Sequence, residues 1–362
     1  MGLLVAAGFD RITSGQELEL YTDFDAGVAS EVTSVQEDII RQGAGEQWLS
    51  PGNSSSTSRF VDYLASIADG GAELEFSCSM HINPTRTPTT GTVFASLHGT
   101  STSSMIEFRA VNNPAGGPPV IEAGSAFGFI PSTLTSFLVI AGQVYNFTLR
   151  GKTDPNNAGR ARYELYINGT QVYGDDNRAT GTPFNGTGSD FRARIRPGTS
   201  GGYARYRNIT VRDEWSTPDD VPPTVPYVID LTSTTVTAPD YTTSGGAATL
   251  EDAINDNDQS TGIRSDIANA VADLELALPA DLEGLSVLGV HASVRAGRLT
   301  PDPTTLKVDL LDDAGAELAT LSQGVSIASP GRESVDLIYD NVDGADAVSS
   351  EDIAIRLTNV TA

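Results

Sequence analysis

Val-Tyr-Asn-Phe-Thr-Leu-Arg-Gly-Lys at 144–152 and Arg-Tyr-Glu-Leu-Tyr-Ile-Asn-Gly at 162–169 decide the fold class. Both alternate apolar and polar residues, the period of a strand whose two faces meet different surroundings. Tyr145, Phe147 and Leu149 fall on one face, with Asn146, Thr148 and Arg150 on the other; Tyr163, Leu165 and Ile167 repeat the apolar set. Asn168-Gly169 is a tight-turn signal, since both residues tolerate positive φ. Two further pieces, Phe191-Arg-Ala-Arg-Ile-Arg196 and Tyr206-Arg-Asn-Ile-Thr-Val-Arg-Asp-Glu214, keep the same alternation. Antiparallel strands joined by short turns predict a sandwich or barrel, with the apolar face inward and the polar face toward water.

At these residues the chain resembles concanavalin A-like (laminin G-like) jelly rolls, whose back half has this strand order. The opening, Leu3-Leu4-Val5-Ala6-Ala7-Gly8-Phe9-Asp10, is similar to the start of such domains in bacteriophage virion structural proteins. The resemblance spans residues 1–215 and implies a binding or assembly module.

Outward from that stretch, the chain predicts an all-β protein with two β-sandwich domains in tandem. At 362 residues it has room for two or three domains, and 39% apolar content with abundant Thr, Ser, Gly and Val suits strands and turns. Short strands are expected at 59–65, 73–82, 92–97 and 105–111, with a long surface loop over 26–58. Ser216 to Pro226 contains Val221-Pro-Pro-Thr-Val-Pro226 and reads as an extended linker. Residues 227–362 then form a smaller, acidic β-sandwich. Strands are expected at 271–278, 286–294, 306–311, 334–338 and 353–357, a helical turn at 250–254, and a hairpin at 311–318. Glu251 to Ser265 resembles the early loop of galactose-binding-like jelly rolls, with Ile263 where those carry an aromatic.

Formal charge is −25, and it is segregated: residues 1–212 hold 16 basic and 20 acidic groups, residues 213–362 hold 6 and 27. Such a chain is not expected to bind nucleic acid. No run approaches membrane-spanning length, so no membrane insertion is expected. No signal peptide is visible at Met1–Gly8, which gives the expectation of synthesis in a host cytoplasm. The six Asn-X-Ser/Thr sequons then carry no glycosylation argument. One cysteine, Cys78, excludes an internal disulfide and a multi-cysteine zinc site, and its setting reads as a buried strand.

Motifs for chemistry fail on context. Gly151-Lys152-Thr153 lacks the leading glycine and the helix of a phosphate loop. Gly198-Thr199-Ser200-Gly201-Gly202 matches a nucleophile elbow but is preceded by Pro197 and reads as a hairpin turn. His81, His98 and His291 stand singly. Glu73-Leu74-Glu75 is the nearest approach to the paired carboxylates of a glycosidase and reads as a solvated strand edge. The sequence therefore predicts no enzyme and no cofactor. Calcium is the one ion with candidate ligands: Asp256 and Asp258 with Asn255 and Asn257, then Asp340, Asp343 and Asp346, then Asp175-Asp176-Asn177. None has calcium-loop spacing, and solvated turns are the favoured reading.

Arginine is the remaining signal. Ten of the 20 arginines fall between Arg150 and Arg212, where 11 basic groups face 5 acidic ones. Arg192, Arg194, Arg196, Arg205 and Arg207 are the candidate binding residues of an interface with an acidic protein surface or acidic glycan. Taken with the resemblance, the expectation is a structural protein on the exterior of a tailed-bacteriophage virion: tail fibre, spike or capsid decoration. Its expected partners are other virion proteins, host-surface glycan and further copies of itself. The alternative is a secreted carbohydrate-binding module or glycoside hydrolase.

Overall fold

The structure is a computed structural model. It describes residues 3–7, 24–25, 39–42, 46–49, 61–66, 73–85, 88, 90–98, 104–124, 132–153, 160–179, 190–195, 204–215, 232–255, 260–277, 287–297, 304–312, 315–320, 325–327, 333–340 and 353–360. The chain divides into two compact units, Met1–Asp230 and Leu231–Ala362. The proline-rich segment 216–226 lies outside the described residues.

The first unit contains β1 (Leu3–Ala7), β2 (Phe24–Asp25), β3 (Ile39–Gln42), β4 (Glu46–Leu49), β5 (Val61–Ser66), β6 (Glu73–Ile82), β7 (Val93–His98) and β8 (Ser104–Val111). It continues with β9 (Val120–Gly124), β10 (Ser132–Leu138), β11 (Val144–Thr153), β12 (Arg160–Ile167), β13 (Thr170–Ala179), β14 (Asp190–Ile195) and β15 (Ala204–Arg212). Two antiparallel sheets result. One runs β13-β12-β11-β6-β15-β4-β3, with β1 also on β15; the other runs β10-β9-β8-β7-β14-β5-β2. The core between them is built from the apolar half of each alternation. Phe108 of β8 stacks on Phe147 of β11 with ring centroids 4.1 Å apart, and the Tyr206 hydroxyl donates to the Phe94 carbonyl at 2.8 Å. Cys78 is fully buried here, as its sequence setting predicts, and burial pushes its thiol pKa up.

β11, β12 and β13 form a meander, in which β11, β12 and the turn at 168–169 match the sequence reading and β13 is an addition to it. Asn168 and Gly169 both take positive φ, 50° and 73°, at the β12–β13 turn. β13 pairs with β12 through two register shifts. The continuation differs from the sequence reading. β14 pairs with β5 and β7, whereas β15 pairs with β6, β4 and β1. β14 and β15 thus belong to different sheets and do not pair with each other; Gly198–Gly202 between them lies outside the described residues. Alternation fixes a strand's faces but says nothing of which sheet it joins.

The second unit contains β16 (Thr232–Thr237), β17 (Thr242–Ser244), α1 (Leu250–Asn255), β18 (Gly262–Arg264), β19 (Ala270–Ala277), β20 (Gly289–Ala296), β21 (Thr304–Leu311), β22 (Glu317–Thr320), β23 (Val325–Ile327), β24 (Glu333–Asp340) and β25 (Ala354–Val360). A six-stranded sheet runs β16-β19-β25-β21-β22 with β23 on β21, and two pairs, β17–β18 and β20–β24, complete it. Leu274, Val308, Leu310 and Leu357 of the large sheet share one core with Ala292, Leu337 and Tyr339 of the β20–β24 pair. Thr249 caps α1, its hydroxyl accepting from the Asp252 N–H at 3.0 Å. Before it, Gly245 at φ 75° approaches Ser260 so closely that an added Cβ would lie 2.0 Å from the carbonyl oxygen. Among the described residues, no helix is long and apolar enough to cross a membrane.

Candidate functional site: the polar face of the eight-stranded sheet

The side of the first sheet turned away from the sandwich core carries the polar half of every alternation. Cross-strand register places Arg205–His81–Val144, Arg207–Ser79–Asn146, Thr210–Ser77–Thr148 and Arg212–Glu75–Arg150 in successive rows across β15, β6 and β11. β12 extends the face with Tyr166 beside Thr148, Glu164 beside Arg150 and Arg162 beside Lys152.

One end of this face is closed. Arg150 is fully buried; its Nε donates to Glu75 at 2.9 Å and its Nη1 to Glu164 at 3.5 Å. Glu164 also accepts from the Tyr166 hydroxyl at 2.8 Å and pairs with Arg162. Burial first, then the Glu164 hydrogen bond, pushes the Tyr166 pKa up to about 12, so this hydroxyl stays a donor. Lys152 pairs with Glu73. Above them lies Trp215, three residues beyond β15. Its ring centroid sits 5.0 Å from the Arg150 guanidinium carbon, 5.3 Å from that of Arg162 and 5.3 Å from the Lys152 ammonium. Arg150, Arg162 and Lys152 each have a glutamate, and Arg150 and Glu164 are sealed from water.

This corrects two expectations. Glu73-Leu74-Glu75 is not a solvated edge: β6 is an interior strand, and Glu75 is buried against Arg150. Nor does the polar half of β11 meet water throughout, since Thr148 and Arg150 are buried. A charged face can be covered when opposite charges lie in register, and these do.

The other end is exposed along β11, whereas Ser79, His81 and Arg207 in the same rows are buried. Val144 and Asn146 are exposed, and Ile140 beside them is 45% exposed. Asn208 sits at a break in the β15–β6 register with φ 53°, a left-handed conformation that asparagine tolerates. Its Nδ2 donates to Ser79 Oγ at 3.1 Å, and Ser79 Oγ donates to Asn146 Oδ1 at 2.8 Å. With its oxygen engaged, Asn146 presents its Nδ2 donors to solvent. In the last row His81 faces Arg205. Burial and the neighbouring Arg205 charge lower the His81 pKa, although a hydrogen bond to the Gly142 backbone pulls the other way. The imidazole is therefore uncharged at neutral pH. Arg205 is half-buried, its Nε lacks a hydrogen-bond partner among the described residues, and burial lowers its pKa. At the far edge of the sheet, Arg162, Gln171, Val172, Tyr173 and Gly174 line a shallow depression of about 400 Å³.

The arginines singled out by sequence are split. Arg205 and Arg207 lie on this polar face. Arg192 and Arg194 belong to β14 of the other sheet, with side chains outside the described residues, and Arg196 lies outside them entirely. β14, with Arg192 and Arg194, and β15, with Arg205 and Arg207, belong to different sheets. Asp256 and Asp258 also fall outside the described residues, as do Asn257, Asp343 and Asp346. Asp175, Asp176 and Asn177 lie within β13, not in a turn, and Asp340 ends β24. His98 ends β7 and His291 lies in β20. Among the described residues no group of three His, Cys, Asp or Glu could hold a metal ion.

No family model matches the chain, and no curated protein matches it. Solved structures do. An alginate lyase, Aly36B, in complex with alginate trisaccharide is 12% identical with a TM-score of 0.40, over 58% of this chain and 98% of its own. The marine PL-14 alginate lyase from Aplysia kurodai is 8% identical with a TM-score of 0.41, over 59% and 99%. A carbohydrate esterase from the Shiga toxin-encoding bacteriophage phi24B is 10% identical with a TM-score of 0.34, over 59% and 99%. At such identities and scores the likeness concerns a β-rich, jelly-roll-like architecture and assigns no activity to this chain. It does overturn the expectation that the chain is not an enzyme, because several of the similar chains are alginate lyases.

Proposed function

We propose that the first unit engages polysaccharide on the β11 end of this polar face. The observation that carries the reading is the composition of that end. Asn146, Asn208 and Ser79 form a hydrogen-bonded row whose outermost member offers free amide donors. One row away lie buried His81 and half-buried Arg205, with exposed Val144 opposite His81. Sugars present hydroxyl edges and apolar C–H faces, and a surface that mixes fixed donors with small apolar patches suits both. The β6, β11 and β15 backbones hold these groups in one register, so little ordering is required on binding.

The particle exterior of a tailed bacteriophage is the proposed setting. Support for it comes from the resemblance at Leu3–Asp10; the glycan reading stands without it. On that setting, host-surface glycan and neighbouring virion proteins are the proposed partners, and mass spectrometry of purified particles tests the placement.

Affinity electrophoresis of the whole chain through neutral and acidic polysaccharides tests the glycan reading. At least one polymer should retard it, and Asn146→Ala should weaken that retardation several-fold at an unchanged unfolding midpoint. The same mixtures should be read for new chain ends. A chain that no polysaccharide retards or is cleaved by would overturn the proposal.

A further inference from the structure

Gly174 is a glycine that the backbone does not require. It lies inside β13, opposite Glu164 of β12, and its φ is not in the left-handed region. A glycine within a strand costs entropy and packing, so what it contributes here is space. The Gln171 amide stands over that space: a Cβ added at 174 would lie 2.6 Å from its Nε2. Just before Gly174, a register shift between Leu165 and Tyr166 gives β13 one additional residue, Val172. The depression of about 400 Å³ lies here, lined by Arg162, Gln171, Val172, Tyr173 and Gly174. Its charged wall is held in place and neutralised. Arg162 pairs with Glu164, and its guanidinium carbon lies 5.3 Å from the Trp215 ring centroid, yet its side chain remains 29% exposed. A guanidinium has more N–H donors than one carboxylate can take, and the exposed Gln171 adds an amide with both donors and an acceptor. Tyr173 and Val172, both half-buried, supply the apolar part of the lining.

We infer that this depression at the β13 edge is a second sugar subsite, and that it takes an uncharged sugar unit. This rests on the glycan reading above and extends it from the β11 end of the polar face to the other edge of the same sheet. The Arg162 guanidinium and the Gln171 amide meet the sugar hydroxyls, while Tyr173 and Val172 meet its C–H groups. Gly174 admits the ring, because a side chain at that position would occupy the sugar's place. Glu164 already balances Arg162, so an acidic sugar gains nothing from its charge here. Recognition is by the placement of hydrogen-bonding groups, which β12, Glu164 and Trp215 fix in advance.

The experiment is calorimetry on the whole chain with oligosaccharides cut from dextran, laminarin, mannan and polygalacturonate. At least one neutral oligosaccharide should bind, with an affinity that changes by less than about two-fold between low and high salt. Gly174→Val should weaken that binding by about ten-fold or more, and Gln171→Ala several-fold. Both variants should keep the parent's urea midpoint, since valine suits a strand and Gln171 is exposed. If Gly174→Val is destabilised, Gln171→Ala alone decides. Unchanged binding by the folded variants overturns the subsite; its loss in Asn146→Ala at the same time leaves the glycan reading standing. Binding confined to polygalacturonate and weakened steeply by salt also overturns the subsite. Binding of no oligosaccharide or polymer removes the glycan reading and this inference together.

Discussion

Arg150 shows what a single side chain can do when its partners are fixed around it. It is fully buried, bonded to glutamates on both neighbouring strands, and covered by Trp215. Such a group contributes little net stability while intact, because desolvation offsets attraction, yet removing one partner strands the rest. Arg150→Met should therefore cost about 3–5 kcal/mol, since Glu75 and Glu164 would be left buried without their shared cation. Urea unfolding measures this. The compensated variant carrying Arg150→Met, Glu75→Gln and Glu164→Gln together should recover most of the loss. If the triple variant is no better than the single one, packing of the long side chain, and not its charge, is what matters.

At the scale of elements, the tight passage of Gly245 past Ser260 sets a sharper test. Gly245 and Gly246 both have positive φ, 75° and 92°, but only Gly245 has no room for a Cβ; nothing lies within 4 Å of one at Gly246. Gly246→Ala should cost about 1–2 kcal/mol, the price of the left-handed conformation alone. Gly245→Ala should cost distinctly more, because Ser260 must also move. Thermal unfolding of the two variants side by side reads the difference, and equal losses would mean that the loop yields freely. The same scale shows what could be read from sequence. Tyr145, Phe147, Leu149, Tyr163, Leu165 and Ile167 are buried as their alternation predicts. The opposite face was not legible in the same way. Alternation separates two faces but does not say that the second is wet; that depends on whether charges meet across strands. Glu75 and Arg150 are 75 residues apart, and only the β6–β11 register makes them neighbours. Likewise, Arg205 looked like one of a series with Arg192 and Arg194. Its cross-strand neighbour is His81, which no local pattern links to it, and β14 and β15 join different sheets.

For the whole molecule, charge distinguishes the two units more than fold does. Residues 231–362 hold 22 acidic groups against 6 basic ones. Excess like charge destabilises a compact state through self-repulsion, and salt screens it. Expressed apart, residues 1–230 and 231–362 should each melt cooperatively, and added sodium chloride should raise the melting temperature of the second more than that of the first. Absence of a cooperative transition in either piece would show that the units depend on each other.

The two register shifts between β12 and β13 bear on self-association. Among the described residues β13 pairs with β12 alone and so ends the sheet. A long, regular edge of that kind is a template on which a second copy can add, and repeated addition gives fibres. Each shift twists the edge and interrupts its repeat, so that an incoming strand cannot stay in phase along its length. The irregularity of β13 thus works against addition of a further strand in register at this edge.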